Sequence, residues 1–173
     1  TQSATFATFA DDSLPKAMND VTPFNPGSVV GFEDQAYVAK APIFATLGVD
    51  VRIARNEIIG DERLVTLQID APDSDIVVGR IKEKALALTS MIVNGLTNTD
   101  RGINRFSCHG RDCRSLTISL VLSANASSVN FQVSGFRYGL GASGQTLLAA
   151  RPESALARGW GDLRLVSKTI SLN

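Results

Sequence analysis

The chain has 173 residues, with 17 basic and 17 acidic side chains, 44% hydrophobic and 6% aromatic residues. That length supports one domain with its own core, and the charge balance favours neither nucleic acid nor an anionic membrane surface as a partner. No apolar run approaches the roughly 18 residues of a spanning helix.

Residues 1–9 set Phe6 and Phe9 in a Thr/Ala background and read as an edge strand or an ordered arm. The chain starts at Thr1 and its first methionine is Met18, which reads as a processed or excised form with any export signal outside these residues. From residue 11 to 28 periodicity lapses. Pro15, Pro23 and Pro26 among Asn, Asp and Gly predict a long surface loop without a regular helix. Beyond it the hydrophobic period is two and the segments are short, which is the signature of strands. Strands are expected at 28–32, 37–39, 49–56, 64–70, 76–82 and 87–93, and then at 104–108, 116–123, 130–135, 146–150 and 163–172. Leu64 to Ile69 and Leu116 to Leu122 alternate most clearly, predicting one buried and one solvated face. Turn formers separate the segments, Asn94-Gly95 being the strongest hairpin signal. One helical turn is expected at 153–157. About ten short strands at this spacing predict an all-β antiparallel sandwich of jelly-roll type spanning 1–173, with 1–28 as an N-terminal strand and irregular loop.

Both cysteines and the single histidine fall in Cys108-His109-Gly110-Arg111-Asp112-Cys113. A disulfide is the natural reading, since Gly110 lets the chain reverse, and so short a loop contributes about 2 kcal/mol in the chain-entropy model. It also suggests an oxidising compartment. A structural zinc site needs further ligands, and only His109 is near. A Cys108/His109 nucleophile pair is disfavoured because neighbours on a strand point to opposite faces. No Gly-x-Ser-x-Gly elbow is present. Gly139 to Gly144 superficially resembles a phosphate loop, but with no following helix and no Lys-Ser/Thr it reads as a turn. Asp70, Asp73 and Asp75 have loop spacing yet lack the EF-hand pattern, and Asn125-Ala126-Ser127 fits a glycosylation sequon. Among the few large aromatics, Trp160 sits between glycines and is the residue to test first for ligand contact.

One ordered set of segments carries a likeness. Phe106-Ser107-Cys108, Gly110-Arg111-Asp112-Cys113, a strand opening at Leu116-Thr117, Phe136-Arg137-Tyr138-Gly139-Leu140, Leu148-Ala149-Ala150-Arg151-Pro152, and Gly161-Asp162 before a last strand ending at Leu172 form the set. It resembles the C-terminal non-catalytic domain of bacterial multi-pass membrane zinc exopeptidases of peptidase family M twenty-eight, the aminopeptidase and vacuolar-membrane-protease type. The resemblance implies a periplasmic or otherwise extracytoplasmic domain, tethered to the membrane in the full-length protein. Its partners would be the catalytic and transmembrane regions of that same protein, with zinc only in the separate catalytic domain. The family's metal ligands include two histidines and an adjacent glutamate pair, which this chain does not match, so no catalytic, cofactor or metal residue is assigned here. The expected function is an accessory role in packing, substrate access or partner contact. Arg151 and Asp162 are expected to form a structural ion pair between the last two strands. The alternative is a carbohydrate-binding module with Trp160, Tyr138 and Arg137 as its platform.

Overall fold

Strands form where alternation leaves one apolar face to bury. In residues 115–123, Leu116, Ile118, Leu120 and Leu122 are all buried, and opposite them Val65, Leu67 and Ile69 are buried from residues 62–70. Each such side chain removed from water contributes about 1.5–3 kcal/mol. The computed structural model describes all residues except 1, 11–12, 30–31, 33, 43–46, 82–87, 99–103, 127–128, 154, 156–160 and 173.

The described residues form twelve strands. In chain order they are β1 (Gln2–Thr8), β2 (Asn25–Ser28), β3 (Gln35–Lys40), β4 (Asp50–Ile59), β5 (Glu62–Asp70) and β6 (Ile76–Ile81). Then follow β7 (Leu88–Val93), β8 (Leu96–Asn98), β9 (Arg105–His109), β10 (Ser115–Ser123), β11 (Val129–Tyr138) and β12 (Asp162–Leu172). Two short helices, α1 (Lys16–Val21) and α2 (Gln145–Ala150), complete the fold. The larger sheet runs β2-β3-β1-β12-β11-β6-β9 and the smaller β4-β5-β10-β7-β8, with every pairing antiparallel. The architecture is therefore an all-β antiparallel sandwich. From β5 to β11 the chain winds between the sheets in jelly-roll order, β5-β10-β7-β8 facing β11-β6-β9. β12 fills the remaining place beside β11.

Three apolar clusters hold these layers. Between the sheets, Leu67, Ile118, Leu120, Phe131, Val133 and Leu172 form the main core. Beyond the smaller sheet, the inner face of the larger one is covered instead by Leu14, Leu47, Leu140 and Leu147 around Phe6 and Val166. On its outer face, Phe9, Val29 and Phe32 cap Phe136, Ile76 and Val78, with the Phe32 and Phe136 rings 5.3 Å apart edge to face. Polar links cross the sandwich as well: Arg63, which donates to Asn56 Oδ1 at 2.8 Å within the smaller sheet, also donates to the Leu172 carbonyl at 3.1 Å, and Lys168 Nζ reaches Asp50 Oδ1 at 2.5 Å.

Several local expectations change. Residues 16–21 are helical because Pro15 stands at the entrance, where a missing N–H costs nothing, and Pro23 lies beyond the end. β1 is not an edge strand, since it lies between β3 and β12. β2 covers only Ser28 of the strand expected at 28–32, of which residues 30–31 lie outside the described residues, and the strand at β8 is additional. Residues 146–150 are helical, not extended: Leu147 is buried while Leu148 is exposed, Leu and Ala favour helix, and the pre-proline Arg151 ends it in extended backbone. Asn94 and Gly95 both have positive φ, 46° and 82°, as the tight hairpin between β7 and β8 requires. Much of the helical turn expected at 153–157 lies outside the described residues.

Candidate functional site

Cys108 and Cys113 are joined in a disulfide, with Cα atoms 5.6 Å apart. The bond closes β9 onto a 3-10 turn, Arg111–Arg114, that leads into β10. Gly110 enters this turn with φ of 101°. Its amide donates to the Asp75 carbonyl at 2.9 Å, and the Cys113 amide donates to the Gly110 carbonyl at 3.2 Å. Strand alternation separates the two neighbours that looked chemically suggestive. Cys108 packs toward the main core, while His109 is exposed with a ring nitrogen 2.8 Å from Ser107 Oγ. Cys113 is itself 2% exposed within that core. Both sulfurs are committed to the cystine.

The cystine loop is the first link of a hydrogen-bonded chain across the end of the larger sheet. Asp75 is its hub: its amide donates to the Phe136 carbonyl at 2.7 Å, and its carboxylate Oδ2 accepts from the Tyr138 amide at 3.1 Å. The Gly139 amide then donates to the Asp162 carbonyl at 2.8 Å. Arg151 donates to both oxygens of the Asp162 carboxylate, at 2.7 and 2.5 Å. This bidentate pair forms with side chains 16% and 9% exposed. It joins the C-terminal end of α2 to β12, whereas a link between two strands was expected. Arg164 Nε donates to the Gly139 carbonyl at 3.0 Å, and its guanidinium stands where a Cβ on Gly141 would sit. Burial, and next the nearby Arg137, pull the Arg164 guanidinium below its ordinary range, while Asp75 acts in the opposite direction.

A cleft of about 390 Å³ opens beside this chain, lined by Asp75, Ile76, His109, Arg111, Arg114 and Tyr138. Ile76 and His109 are cross-strand neighbours in the β6/β9 register, and Tyr138 stands two residues beyond Phe136, the β11 partner of Ile76. Arg114 Nε donates to the Ser74 carbonyl at 3.4 Å. The Ser74 hydroxyl is buried without a hydrogen-bond partner among the described residues. Arg111 and Arg114 have no carboxylate partner among the described residues. The arrangement suits binding: two arginines and a tyrosine line it, with Asp75 already engaged by a backbone amide.

Other expected positions distribute differently. Tyr138 is 47% exposed at the cleft, but alternation on β11 turns Arg137 to the opposite face, where it lies 3.9 Å from Asp73. These two do not share one platform, and Trp160 lies outside the described residues. Asp70, Asp73 and Asp75 engage separate partners, namely Ser115 Oγ, Arg137 and the Tyr138 amide. The glycine-rich 139–144 segment does lead into a helix, contrary to expectation, but one of only six residues. Asn125 lies in a turn, and Ser127 of its sequon is outside the described residues. Asp75, Arg111 and Arg114 were not marked by sequence as cleft residues. Their meeting depends on β6 lying between β9 and β11, a non-local register with no signal in local spacing. No family model, curated protein or solved structure matches this chain.

Proposed function

We propose that this chain is a non-catalytic accessory domain, extracytoplasmic and tethered through a longer protein, serving a membrane-bound zinc exopeptidase. One observation carries the reading. Four of the segments that resemble the peptidase-associated domain, at 106–113, 136–140, 148–152 and 161–162, meet at one end of the larger sheet. They meet through backbone amides, a disulfide and a bidentate ion pair, so the residues behind the likeness act as structural fasteners. Such use explains how a signature rich in Cys, Arg and Asp can exist without catalytic work in this chain. The disulfide is in keeping with an oxidising compartment. The purified chain, supplied with zinc and aminoacyl-p-nitroanilide substrates, should release no nitroaniline. Zinc-dependent release that a chelator abolishes would overturn the proposal.

A further inference from the structure

We propose that the cleft beside the cystine loop binds the free C-terminal carboxylate of a short peptide, held by Arg111 and Arg114 against the wall formed by Tyr138. The lining carries two guanidinium groups against the single carboxylate of Asp75. That carboxylate accepts the Tyr138 amide, and Asp112 of the same turn is not part of the lining. These three side chains therefore leave the cleft cationic by one charge. Guanidinium presents planar paired donors that match the two oxygens of a carboxylate. The turn carrying both arginines is fixed at its ends by the disulfide and by the Gly110 amide on Asp75, so little backbone order has to be gained on binding. About 390 Å³ is within the range of small-ligand clefts, and Tyr138, 47% exposed, supplies apolar surface for the residue bearing the carboxylate.

The peptide as source of the carboxylate rests on the accessory-domain reading, whereas the preference for a carboxylate rests on the lining alone. The test is titration of the 173-residue chain with N-acetyl-alanyl-alanine, its C-terminal amide, and acetate, followed through the backbone amide resonances of residues 110–114. The acid should move these resonances and bind about tenfold more tightly than either the amide or acetate, the difference expected from losing one charge-assisted hydrogen bond or the peptide flank. Arg111→Gln with Arg114→Gln, both at exposed positions, should abolish the shifts, and Tyr138→Ala should weaken them. Equal binding of acid and amide, acetate binding as tight as the peptide, retention in the double variant, or no shift at residues 110–114 would each overturn the proposal. The comparison of acid with amide on the unaltered chain needs no variant to fold. Recovery of cleaved peptide would instead count against the non-catalytic reading, while intact, unbound peptide would refute only the site.

Discussion

Replacing both Cys108 and Cys113 by alanine tests whether the cystine is a local pin or a staple for the whole fold. Its ring spans a sequence separation of only 5, and for a loop that short the chain-entropy relation gives about 2 kcal/mol. Cys113 is 2% exposed in the main core, so losing its sulfur removes packing comparable to one methylene, about 0.8 kcal/mol. The combined loss is about 3 kcal/mol, a fall in Tm of about 6–12 °C for a domain of this size. Urea unfolding followed by circular dichroism should show a lower midpoint with an unchanged slope. Amide exchange should accelerate at residues 110–114 before it does so on β5 and β10, which pair in register through the core. A loss above about 5 kcal/mol, or collapse of the native spectrum, would refute the local-pin argument. A loss below about 1 kcal/mol would refute the loop arithmetic, because the hydrogen bonds of the turn would then hold the loop closed unaided.

Other outcomes follow from individual contacts. Gly79→Ala would place a Cβ 2.8 Å from both the Phe106 and the Phe131 Cζ atoms, with Phe131 fully buried. It should cost about 1–3 kcal/mol, whereas Gly48→Ala, with nothing within 4 Å, should be nearly neutral; equal urea midpoints for the two would contradict the packing. Arg151→Met should cost about 2 kcal/mol by stranding the Asp162 carboxylate. A double-mutant cycle with Asp162→Asn should show positive coupling, and strict additivity would refute a working pair. The Lys168 ammonium, first by its hydrogen bond and then by its charge, holds the Asp50 carboxyl below its ordinary value of 3.8. A carboxyl lowered on folding stabilises the native state above that value, and the contribution is lost as pH falls through the lower folded value. Asp50 is 66% exposed, so the effect is at most about 1 kcal/mol. Lys168→Met should flatten the acid limb of stability against pH by that small amount, and an unchanged limb would exclude the contact as a contributor.

Strand identity was legible wherever alternation met a buried face, as in β5 and β10, and the Asn94-Gly95 hairpin was legible from its backbone demands. Helices of one or two turns were not. In α1 the prolines read as breakers although they flank the helix, and in α2 a run of Leu and Ala carries no period long enough to separate helix from strand. The disulfide was legible from spacing and Gly110, and the Arg151–Asp162 pair forms as expected, although Arg151 stands at the end of a helix and not on a strand. The cleft itself was illegible. Asp75, the 109–114 loop and Tyr138 come together only because β9, β6 and β11 are adjacent, and that order is set by the wrapping of the whole chain.

The accessory-domain proposal is tested most directly by immunoblotting source-cell fractions with an antibody raised against this chain. It predicts a membrane-embedded polypeptide much larger than 18.4 kDa, co-purifying with an exopeptidase activity that a chelator removes and zinc restores. A soluble band near 18.4 kDa with no associated peptidase would contradict it.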